Sequence, residues 1–131
     1  MIFIDTNYFL RFLLGNVTSQ QAQAKAVFQQ AAEGKISLFT SAVVIFELYW
    51  VLVSVYHKDK GQVAKTLDGL LEMSFIEFEH YRVFNKAIPV YKESSLGLVD
   101  AFNLLYAISR GSDEFKTFDF KLSKKYSSLQ S

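Results

Sequence analysis

"MIFIDTN", residues 1–7, sets an apolar run directly against an acid, with no turn residue between Ile4 and Asp5. Four hydrophobic residues in a row are read as a short strand covered on both faces. A carboxylate at the end of such a strand is costly unless it is hydrated, paired or coordinated. What Asp5 does therefore depends on what else the chain brings to the same end of a sheet.

Outward from that stretch, "ISLF" (residues 36–39) is a second apolar run, and "FIEF" (75–78) and "FKTF" (115–118) are shorter, half-polar ones. Helical segments lie between them. Thr18 and Gln21 form an expected capping box ahead of "QAQAKAVFQQAAEG", with Gly34 as the stop. Thr40 or Ser41 caps "SAVVIFELYWVLVSVYHK", and a further helix is expected from about Gln62 to Met73. "HYRVFNKAIPVYKE" reads as helix with a kink or early end at Pro89, and "LVDAFNLLYAISRG" ends on Arg110 and Gly111. Strands alternating with helices point to an α/β fold with a parallel sheet and right-handed crossovers. The 131 residues, without a repeat or a linker, are read as a single domain, 1–131.

Composition narrows the class. Half the residues are hydrophobic, which excludes a disordered chain. Glu47 interrupts the longest apolar stretch, so no membrane span is expected. No basic region precedes the first apolar residues, so no secretory signal is expected either. Without cysteine there is neither a disulfide framework nor a thiolate zinc site, and a reducing cytoplasm is the expected location. The net charge of +1 lacks the basic excess of a nucleic-acid binder, so any such partner must be met by a local patch.

The parallel topology assigns the acids. Asp5 follows the first strand and Asp119 follows "FKTF", so both are expected at the carboxyl edge. Glu47 lies about two turns, roughly 9 Å, into a helix starting at that edge. Asp100 falls in the first turn of a helix that runs back toward it. The four are expected to converge on the crevice where open α/β sheets hold ligands. Each has a plainer reading: Asp5 as a helix cap, Asp100 as a first-turn acid favoured by the helix dipole, Asp119 as a surface turn. Glu47 is different, because Val43, Val44, Trp50 and Val51 around it are apolar and predict burial. Four repelling carboxylates need a counter-charge, and an oxygen-only set without Cys or His suits Mg²⁺ or Mn²⁺.

"FIDTN", "SAVVIFEL", "GLVDAFNLLYA" and "TFDFKL", in this order and spacing, resemble the PIN domain nucleases, and among them the VapC-type toxins of bacterial and archaeal toxin–antitoxin pairs. The resemblance implies a three-layer α/β/α sandwich with a central parallel sheet of four or five strands. It maps the acidic, metal-binding site onto Asp5, Glu47, Asp100 and Asp119, with Asn7 and Thr117 as polar supports. It further implies a metal-dependent ribonuclease, a homodimer, and a cognate antitoxin that holds the enzyme inactive. The chain departs from the family pattern at Asn103, Leu104, Leu105 and Tyr106, and after "TFDFKL" it has no clear final strand.

Other residues carry less. His57 and His80 read as helix-end residues, and no Ser/His/Asp order or phosphate-cradling glycine loop is present. Lys121, Lys124 and Lys125 can hold an RNA backbone and Tyr126 can stack on a base, or the segment is a solvated helix end. The alternatives to a toxin are an RNA-processing PIN-like nuclease, a non-catalytic RNA- or protein-binding module, and a receiver-like domain. The last would need a phosphorylatable Asp after a central strand.

Overall fold

Short apolar runs separated by helix-period segments give ten elements in a computed structural model that describes residues 1–15 and 17–131. They fall into two units, Met1–Tyr81 and Arg82–Ser131. The first holds β1 (Ile2–Phe3), α1 (Thr6–Leu14), α2 (Thr18–Ala32), β2 (Leu38–Thr40), α3 (Ala42–Ser54), α4 (Lys60–Leu71) and β3 (Ile76–Phe78). The three strands form one parallel sheet in the order β1-β2-β3. Each crossover is a pair of helices, as a parallel connection requires.

The register explains which strand residues are hidden. Leu38 pairs with Ile76 and Thr40 with Phe78, and all four are buried on one face. Phe9 of α1 packs on Phe78, with ring centroids 6.3 Å apart, and Phe28 of α2 lies between Phe9, Phe12 and Phe75. Phe3, Phe39 and Glu77 align on the other face, where Phe3 and Glu77 are exposed. The "MIFI" run is therefore not covered on both faces: Ile4 is buried, whereas Ile2 and Phe3 remain almost half exposed.

The helix boundaries follow local chemistry. Ser41 caps α3, accepting the Val44 N–H at 3.3 Å. The expected capping box at Thr18 and Gln21 is absent: Val17 is the N-cap, and Gln21 instead donates to the Phe12 carbonyl. A complete box stands at α4, where Asp59 accepts the Gln62 N–H and Gln62 accepts the Asp59 N–H. Gly34 supplies the left-handed residue after α2, at φ +78°. His57 and His80 also adopt positive φ, at 51° and 57°, and serve as turn residues after α3 and ahead of Tyr81.

The second unit carries α6 (Leu98–Ser109), α7 (Phe120–Gln130) and all but the first residue of α5 (Tyr81–Glu93). α5 runs through Pro89 without the expected early end, since Val83, Phe84, Ala87, Ile88 and Tyr91 bury one face along its whole length. Leu96, Leu104, Leu122 and Tyr126 form a small core, with Phe115 stacked on Tyr126 at 5.4 Å. "FKTF" is not a strand. Phe115 turns inward onto that core, Phe118 points away, and Thr117 makes a turn, so the segment has no ladder partner among the described residues. The sheet thus has three strands there, not four or five. No described helix is long and apolar enough to cross a membrane.

Candidate active site

In the first unit, Ile4 and Asp5 leave the sheet under tight backbone control. The Ile4 N–H donates to the Phe39 carbonyl at 2.9 Å, and the Ile4 carbonyl accepts the Thr40 hydroxyl at 2.7 Å. Thr40 is buried, so this bond is shielded from water. Asp5 then occupies the N-cap of α1 with extended backbone, but its side chain makes no capping hydrogen bond. The plainer reading of Asp5 as a cap therefore fails, and its exposed carboxylate is left for another use. Next to it, Thr6 is buried with a hydroxyl oxygen that makes no hydrogen bond. Asn7 is exposed and, with Tyr8, Arg11, Gln20 and Gln23, lines a polar cavity of about 280 Å³.

Glu47 stands on α3, whose start is fixed twice. Ser41 caps it, and the Glu79 carboxylate accepts the Ala42 N–H at 2.8 Å, an acid placed where the helix dipole favours one. The buried stripe of α3 is Val44, Ile45, Leu48 and Leu52. Glu47 lies on the opposite side and is exposed, with Val43 at 63% and Trp50 at 61%. The expected burial of Glu47 is corrected accordingly: the helix is apolar nearly all round, and only one stripe of it is covered.

In the second unit, Asp100 sits half-buried in the first turn of α6, behind an N-cap glycine that offers no side chain. Asn103 is exposed one turn further along. Asp119 is the N-cap of α7; its Oδ1 accepts the Leu122 N–H at 3.1 Å. Thr117 Oγ1 accepts the Asp119 N–H at 3.0 Å and so holds the main chain at the acid. One Asp119 oxygen is engaged in capping and the other is not. Asp119 follows an irregular segment rather than a strand, so its placement at a strand's carboxyl end is also corrected.

Lys121 and Lys124 are exposed and Lys125 is half-buried. Tyr126 cannot serve as a stacking platform. Its ring is 8% exposed, and its hydroxyl is tied to Ser112 at 2.9 Å and to Gln130 at 2.8 Å. Among the described residues no three His, Asp or Glu side chains are grouped so as to hold a metal ion. The sequence reading offered Thr40 only as an alternative to Ser41 for capping α3, and its buried bond becomes visible only once β1 and β2 are paired. It passed over Phe118 and Phe120, which were hidden by the strand assignment.

Comparison with protein-family models matches residues 2–127 to the PIN domain. The chain belongs to the PIN domain family. No curated protein matched it. PIN domains are generally nucleases and generally use divalent metal ions. The donor chemistry of this PIN domain suits such an ion: the candidate carboxylates are hard oxygen ligands, Asp5 is not consumed by capping, and Thr6 leaves a buried oxygen unmet beside it.

Proposed function

We propose that this PIN domain is a Mg²⁺- or Mn²⁺-dependent endoribonuclease, the VapC-type toxin of a toxin–antitoxin pair, in which Asp5, Glu47, Asp100 and Asp119 serve one reaction. In this reading residues 1–131 act as one nuclease domain, cytoplasmic and homodimeric, restrained by a cognate antitoxin. The observation that carries the reading is Asp5. Its backbone is fixed through Ile4 by two hydrogen bonds to β2, while its carboxylate is exposed and released from capping.

Asp5, Asp100 and Asp119 would hold the ion, and Glu47 would hold a second ion or orient a water. A bound divalent ion supplies Lewis acidity at a phosphate oxygen and lowers the pKa of water. Thr117 steadies Asp119 through its main-chain N–H, and Asn7 orients water or ligand from the first turn of α1. Hydrolysis adds water across a phosphodiester bond, leaving a phosphate on one fragment and a hydroxyl on the other, with no covalent enzyme intermediate.

A second reading is a non-catalytic RNA-binding module. Purified protein, free of any antitoxin, separates the two. The nuclease reading expects cleavage of a broad RNA panel with Mg²⁺ or Mn²⁺, abolished by chelator while the circular dichroism spectrum is unchanged. Binding without cleavage under every ion condition would establish the module instead. For the toxin role, expression alone should arrest growth, and co-expression of a small neighbouring gene should relieve it; normal growth at high expression would remove that part of the proposal.

A further inference from the structure

Phe118 and Phe120 flank Asp119, and both rings stand in solvent, at 110% and 78% exposure. Neighbouring aromatics in the same unit behave otherwise: Phe84 and Phe102 pack together at 4.8 Å, and Phe115 stacks on Tyr126. Two bare phenylalanines separated by one residue are unfavourable unless something covers them. The charge beside them indicates what does. α7 carries Lys121, Lys124 and Lys125 and no acid, and none of these lysines makes an ion pair among the described residues. Phe120 and Lys124 are four apart on the helix, so they share a face one turn apart. An aromatic surface next to unpaired cations is the combination that takes bases on the rings and phosphates on the ammonium groups.

We propose that Phe118 and Phe120 are base-stacking residues, each taking one unpaired base of a single-stranded RNA, while Lys121 and Lys124 hold the neighbouring backbone. This rests on the ribonuclease reading above and adds the residues that grip the substrate. It also gives Phe118 and Phe120 the role that buried Tyr126 cannot fill. The rings have no hydrogen-bonding groups, so the grip is tolerant of sequence.

The test uses the full chain and a non-cleavable 2′-O-methyl oligoribonucleotide, followed by fluorescence anisotropy, together with cleavage of the matching natural RNA. Phe118→Ala and Phe120→Ala should each raise Kd by about tenfold, within the range for loss of one base–aromatic stack. Their melting temperatures should stay at the wild-type value, because both rings are exposed. Phe120→Tyr should restore binding. Lys124→Ala should lower the slope of log Kd against log salt by about 0.7. Unchanged affinity in the double Phe variant, with wild-type RNA cleavage retained, overturns the stacking role while leaving the nuclease reading intact. Aromatic-dependent binding by a wild-type chain that cleaves no RNA supports the stacking role and sinks the nuclease reading. Loss of a dimer on gel filtration, with unchanged oligonucleotide affinity, overturns the proposal in favour of an interface between copies.

Discussion

Asp5 stands exposed at the N-cap of α1, on a chain held ahead of it by the Thr40 hydroxyl. Asp5 drew notice because an acid abutting an apolar run has few plain explanations, and the side-chain capping bond expected of one of them is not made. Glu47 and Tyr126 were misjudged for one shared reason: burial of a helical residue depends on which stripe meets the core, and an almost wholly apolar helix such as α3 does not announce its stripe. The Thr40 hydrogen bond was invisible for a different reason, since its partner is 36 residues away across the sheet. It makes a sharp prediction. Thr40→Val keeps the shape but leaves the buried Ile4 carbonyl without its donor, which should cost about 1–3 kcal/mol of stability in urea unfolding. Thr40→Ser should recover most of it. Equal stability of the Val variant and wild type would mean that the bond does not anchor the chain ahead of Asp5.

Among the elements, the strands β1, β2 and β3 and the helices were foreseen where period and punctuation agreed, as in α3 with Ser41 before it and α6 with Gly111 after it. "FKTF" failed because four residues with two aromatics fit a strand and an irregular segment equally well, and only partners decide. Capping signals failed in a similar way. Thr18 lies inside α2 rather than at its cap, whereas the box at Asp59 and Gln62 was passed over, the helix being expected only from about Gln62. Asp59→Ala should therefore destabilise the protein by about 0.5–2 kcal/mol. Thr18→Ala should stay within about 0.5 kcal/mol of wild type. Thermal or urea melts of the pair check this ordering, and the reverse order would contradict the cap assignments.

For the whole molecule, sequence motifs spread from residue 3 to residue 122 were enough to suggest the family that a match over residues 2–127 now establishes. Asp5 and Glu47 belong to the first unit and Asp100 and Asp119 to the second, so no single local motif carries all four. Of 13 acids, the proposal assigns four to chemistry, so nine stand against 14 basic residues, a balance that would favour an anionic partner despite the net charge of +1. The central claim is that these acids catalyse rather than support the fold. Its most direct measurement is the single-turnover RNA cleavage rate of Asp5→Asn at saturating Mn²⁺, taken with the melting temperature of the metal-free protein. The substitution keeps size and removes charge, so the rate should fall more than about a hundredfold. The metal-free protein should melt near the wild-type temperature, because the Asp5 side chain is exposed and makes no capping bond. A wild-type rate, or a rate loss matched by a large drop in melting temperature, would contradict the account.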